Sequence, residues 1–177
     1  MKIALSLTMV IAQVQLASAA DFRGMTLGED CRSAETREAE YGSALESRDN
    51  ERVSFRGLFE RWNAEIIYFC RDGRLQQGVY MLEAPQFDVA VHWYGEIKAL
   101  LSRKHGLPAV DMALPECINE VSEPVDRESQ YVSVWEHTGV TIEVIAINVG
   151  GEGMIRISYA RSIDDASDAC GHRGTRE

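Results

Sequence analysis

The chain has 177 residues, a formal net charge of −10 at neutral pH and a mean hydropathy of −0.20. An acidic excess of this size disfavours nucleic acid and anionic membrane surfaces as partners, and steers cationic partners in over long range. It also serves plain solubility.

Residues 1–20 read as a secretory signal peptide: Met1-Lys2 gives a positive start, Ile3 to Leu16 is largely apolar, and Ala17-Ser18-Ala19-Ala20 supplies small residues for cleavage after Ala19 or Ala20. The stretch is too short and too interrupted for a membrane anchor, and no comparable apolar run follows, so membrane insertion is not expected. The expected location is periplasmic or secreted. No cysteine sits at the cleavage point, which closes the lipoprotein route.

The remainder, 21–162, reads as a single α+β domain followed by a polar tail, 163–177. After a short extended lead-in (21–27), a helix is predicted over 29–41, with Glu29 and Asp30 in its first turn and Gly42 as its stop; its inward stripe is Cys31, Ala34, Glu38 and Tyr41. Three strands follow, Arg52–Phe59, Ala64–Arg71 and Arg74–Leu82. In the last, Leu75, Val79 and Met81 are placed on one side. Arg71-Asp72-Gly73-Arg74 marks a hairpin, because Asp-Gly accepts the positive φ that a tight type I′ turn requires. From Phe87 to His105 apolar residues recur at three- and four-residue steps, the period of an amphipathic helix. Asp88 is the expected cap, and Gly106 and Pro108 end the helix.

Residues 107–130 read as a long connection rich in proline and acid. Three further strands are predicted, Tyr131–Glu136, Val140–Asn148 and Met154–Arg161, with Gly150-Gly-Glu-Gly153 turning the last hairpin. Helix and three strands thus occur twice, in units spanning 21–83 and 84–162. The expected fold is tandem αβββ units forming one antiparallel sheet of about six strands, with the helices on one face.

Four cysteines in an oxidising compartment imply two disulfides, and three pairings are possible. The favoured pairing is Cys31–Cys70, tying the first helix to the sheet, with Cys117–Cys170 fastening the long connection to the tail.

Gly24-Met25-Thr26 ahead of an early helix, and Tyr68-Phe69-Cys70-Arg71-Asp72-Gly73-Arg74-Leu75 ending a strand pair, resemble BamE-like envelope proteins. The doubled unit resembles the β-lactamase-inhibitor-protein family. Lys104-His105-Gly106-Leu107-Pro108 is similar to a Lys-Tyr-Gly-x-Pro helix end of exported bacterial proteins. The resemblance implies the α+β fold and an inhibitor or accessory role. The lipidated cysteine usual in BamE-like proteins is absent, and no contact residue carries over by motif.

No catalytic constellation stands out. His92, His105, His137 and His172 lie in different elements without ligand spacing, and Gly-x-Ser-x-Gly and Cys-x-x-Cys are missing. The expectation is therefore no enzyme, no metal and no cofactor. The sheet carries the sharper signal. If Ala64, Ile66, Tyr68, Val140, Ile142 and Val144 face the helices, the other face presents Ile67, Phe69, Tyr80, Trp135, Ile145 and Ile147, with Glu143 among the polar rim. An apolar centre with a polar rim is the pattern of a recognition patch; the competing reading is that the 107–130 connection or a second copy of the chain covers this face. Ile67, Phe69, Tyr80, Trp135, Glu143 and Ile145 are the candidate binding residues, and a protein or peptide that is cationic or bears an apolar patch is the expected partner. The alternative is a small-molecule or lipid carrier of the cell envelope.

Overall fold

Alternating side chains and tight turns between Arg52 and Ala84 fold this stretch into a meander: β2 (Arg52–Phe59), β3 (Trp62–Arg71) and β4 (Arg74–Ala84). Asp72 and Gly73 both adopt positive φ, 53° and 72°, as the tight turn between β3 and β4 demands. The computed structural model describes residues 21–113 and 131–162. The expected signal peptide, Cys117 and Cys170 with their pairing, and the polar tail lie outside the described residues.

The second meander comprises β6 (Tyr131–His137), β7 (Val140–Val149) and β8 (Glu152–Arg161). β4 pairs with β8, so the two meanders share one antiparallel sheet. That sheet has eight strands in the order β1-β2-β3-β4-β8-β7-β6-β5, which corrects the expected six. The additional strands are its two edges, β1 (Ala44–Arg48) and β5 (Val110–Ala113). Every residue of both edges is exposed, so neither carries the burial pattern that marks a strand in sequence.

Both helices lie on one face. α2 (Phe87–His105) buries Ala90, Tyr94, Ile97 and Leu101. Its first turn sits directly on β8 at Gly153, where a Cβ would fall 2.4 Å from that of Ala90. Its N-cap is Gln86 without a side-chain cap bond, so Asp88 acts only as a charge in the first turn and not as the expected cap. At the other end Gly106 takes φ 86° and its carbonyl accepts a hydrogen bond from Trp135 Nε1 at 2.9 Å.

α1 (Ser33–Glu40) begins four residues later than the periodicity predicts. Residues 28–31 are engaged elsewhere: Gly28 N–H donates to Leu75 O, Leu75 N–H to Glu29 O, and Cys31 N–H to Gly73 O. This backbone pairing onto the β3–β4 turn holds the segment extended. The Cys31–Cys70 disulfide forms beside it. Cys31, Ala34 and Glu38 are buried as the stripe predicts, whereas Tyr41 is exposed.

The core lies between sheet and helices. Phe22 is fully buried at its centre, with ring centroids 4.9 Å from Tyr80, 5.0 Å from Tyr68 and 5.6 Å from Tyr159. Edge and tilted packings of this kind suit the ring quadrupoles.

Candidate functional site

Register decides which side chains share the face opposite the helices. One row runs Ser54, Ile67, Val79, Ser158, Glu143, Val134 and Val110 from β2 to β5. The next runs Arg56, Glu65, Met81, Arg156, Ile145, Val132 and Met112. Neither helix lies on this face. Phe69, Met81, Ile145, Ile147, Val134 and Met154 are partly exposed on it, while Ile67, Val79 and Val132 are buried among their neighbours.

Ion pairs are interleaved with the apolar positions. Arg52 meets Glu65 at 2.5 Å, Arg156 meets Glu143 at 2.6 Å, and Arg56 bonds Glu46. In both Arg52 and Arg156 the Nε is buried without a hydrogen-bond partner, leaving a donor unspent on this face.

Of the six candidate residues, Ile67, Phe69, Glu143 and Ile145 fall together here. Tyr80 and Trp135 do not, which corrects the expected face. Tyr80 is turned by an irregularity opposite Phe69–Cys70: Cys70 pairs with Leu75 but Phe69 with Gln77, so the alternation changes sides and Gly78, Tyr80 and Leu82 face the helices. Val79 and Met81 accordingly change to the face opposite the helices. Trp135 lies opposite Ile142 beneath the helix end, almost fully buried. On the same strand Ser133 is buried under α2, where it bonds Tyr94 Oη at 2.5 Å and donates to Asp111 at 2.8 Å. A serine flanked by valines hides this orientation in the sequence.

The helix side carries a concavity that no sequence pattern marks. A cleft of about 340 Å³ opens between the N-terminal segment, the β2–β3 turn and the last turns of α2, lined by Arg23, Tyr41, Leu58, Tyr80, Leu100, Lys104 and Tyr159 among others. Tyr41 and Leu58, 58 % and 52 % exposed, form its mouth. Arg23 closes the floor, stacked over the Tyr41 ring at 4.2 Å. Its Nε donates to Glu38 at 2.5 Å and its Nη1 to the Leu58 carbonyl at 3.0 Å.

Glu38 is the one buried carboxylate among the described residues. One oxygen accepts from Arg23 and from the Tyr68 hydroxyl; the other is buried without a partner. Burial and the Glu38 carboxylate push the Tyr68 phenol far above its ordinary range. Burial also raises Tyr80, to about 12, against the opposing pull of the Arg23 charge.

His105 is half-buried at the end of α2, its ring centroid 5.8 Å from that of His137. Burial, with Lys104 and His137 adding positive charge, lowers its pKa, and Asp21 opposes this. Among the described residues no group of three or more His, Cys, Asp or Glu stands close enough to hold a metal, and no helix is long and apolar enough to cross a membrane. Comparison with protein-family models, with curated proteins and with solved structures gives no match.

Proposed function

We propose that the protein is a non-enzymatic binding or accessory protein, exported through a signal peptide at residues 1–20, that holds a protein or peptide on the sheet face opposite its helices. One observation supports this above the others: Ile67, Phe69, Ile145 and further apolar ladder neighbours share a face that neither helix lies on, interleaved with the Arg52–Glu65 and Arg156–Glu143 pairs. Antiparallel sheets with a solvated face usually alternate to polar side chains there. Apolar side chains interspersed with charged pairs on such a face fit recognition instead.

The chain order supports reading the domain as a duplicated unit, each half a helix followed by four strands, with the final strands β4 and β8 paired at the sheet centre. The likeness to BamE-like and β-lactamase-inhibitor-type proteins belongs to the same proposal. Phe69→Asp and Ile145→Asp are the test. Both side chains are only partly buried, so each variant should keep its thermal midpoint and lose capture of the envelope partner that the wild-type chain retains. Wild-type capture by both variants overturns the reading.

A second reading, carriage of a small molecule, draws on the cleft. A cavity of about 340 Å³ is at the small end of the roughly 300–1,000 Å³ typical of ligand sites.

A further inference from the structure

The described chain is tied into the fold from its second residue. Phe22 is 1 % exposed and Met25 is fully buried. Between them the backbone reverses: Phe22 N–H donates to Met25 O at 2.9 Å, and Met25 N–H to Phe22 O at 3.0 Å. The buried Arg23 side chain is held by Glu38 and by the Leu58 carbonyl, and the Gly24 carbonyl accepts a bond from Arg37. The Phe22 ring packs against Tyr68, Tyr80 and Tyr159, in the space that the missing side chain of Gly78 leaves open. Ring, backbone and ion pair together anchor the stretch 22–25.

The sequence sets this anchor hard against the expected leader. Cleavage after Ala20 makes Phe22 the second residue beyond the cut, and cleavage after Ala19 makes it the third. At most two residues therefore separate the scissile bond from the anchored stretch, which is about 7 Å of fully extended chain. Proteolysis needs exposed backbone, free of other bonds, on both sides of the cut, because the peptidase must take up that backbone itself. The reversed and buried stretch 22–25 does not meet this condition while it is docked. Cleavage of the folded chain then has to wait for local opening, and its rate follows the open fraction.

We propose that the leader is removed before Phe22 seats: the cut is made on a chain whose N-terminal segment is still undocked, and the aromatic core is completed only afterwards. The inference rests on the signal-peptide reading and is independent of the sheet face. No strand of the eight-stranded sheet begins before Ala44, so its ladders need nothing from the segment that carries the cut. The cleft on the helix side does need it. Asp21, Arg23 and Gly24 line that cleft, so its N-terminal wall is supplied only by the processed chain.

Cleavage of the full-length chain by a signal peptidase in mild detergent tests this. One sample is diluted from urea directly into the enzyme; the other is refolded first, and its fold is read from a thermal transition. The chain from urea should be cut after Ala19 or Ala20. The refolded chain should be cut at least about tenfold more slowly, since cleavage waits on opening of residues 22–25. Gly78→Ala, which displaces the ring, and Glu38→Gln, which loosens Arg23, both leave the cleavage sequence intact and should recover much of the lost rate. A full-length chain with no thermal transition, where the processed chain has one, also supports the order, because folding then waits for the cut. A refolded chain that shows the processed chain's transition and is cut as fast as the chain from urea overturns it. So does slow cutting that neither variant speeds, which would place the shield elsewhere than at Phe22 and Arg23. Failure to cut the chain from urea at Ala19 or Ala20 removes the signal-peptide reading itself, and the order with it.

Discussion

Phe22 occupies the space that a side chain at Gly78 would need: a Cβ built on Gly78 would fall 2.2 Å from the Phe22 ring. The missing side chain on β4 is thus what admits the N-terminal segment to the aromatic core. Phe22→Ala should cost about 3–5 kcal/mol, the usual loss for a fully buried aromatic. Gly78→Ala should be similarly harmful by expelling the ring. Because each change empties or blocks the same socket, the double variant should lose clearly less than the sum in urea unfolding. Additive losses would show that the two positions do not share that socket.

Glu38 and Arg23 form a buried pair, 0 % and 9 % exposed at their side chains. Removing one partner strands the other charge. Glu38→Ala should destabilise by about 3–5 kcal/mol, and Arg23→Met in the same chain should restore part of that loss. A loss below about 1 kcal/mol for Glu38→Ala would mean that water or relaxation screens Arg23 far more than its burial implies.

His105 sets a pH dependence of definite sign. Its folded pKa lies below the ordinary value, so the unfolded chain takes up a proton first as pH falls. Its contribution is fully present above about pH 6.5 and is lost as pH falls from there through the folded pKa. Lys104, His137 and Asp21 are the charged and titratable groups that act on it. Urea midpoints should fall between about pH 7.5 and 5.5 in the wild type. His105→Gln should flatten that window, with Trp135, bonded to the adjacent Gly106 carbonyl, as the fluorescence reporter. A slope unchanged by His105→Gln would assign the window to another group. Carboxylates such as Asp111 and Glu96, whose pKa values are lowered by Lys98 and Arg61, act only at more acid pH.

The Cys31–Cys70 bond closes a sequence separation of 39 residues. Loop-closure entropy assigns it about 4 kcal/mol. Replacing both cysteines by serine should lower stability by an amount of that order, measured under conditions that leave the remaining cysteines unchanged. Non-reducing peptide mapping should return Cys31–Cys70; any other partner for Cys70 would contradict the fold around α1.

What the sequence made legible follows from where burial is periodic. α2 matches its predicted bounds because Ala90, Tyr94, Ile97 and Leu101 repeat at helical spacing against the sheet. The β3–β4 turn was readable because Asp72-Gly73 admits a left-handed backbone. β1 and β5 were not, since edge strands with every residue exposed show no alternation. Tyr80 was misplaced because a single extra residue on β4 inverts every side chain beyond it, and no composition rule locates such a residue. Of the candidate site, Ile67, Phe69, Glu143 and Ile145 could be grouped by alternation alone. Arg23 and Tyr159 line one cleft only because the N-terminal segment folds back, a relationship with no sequence period.

The central claim is that the sheet face opposite the helices is a recognition surface. The most direct measurement pairs thermal midpoint with partner capture for Phe69→Asp and Ile145→Asp, both on that face and only partly buried. The account predicts midpoints close to wild type and capture lost in both. Wild-type capture by both variants, or unfolding of both, would contradict it.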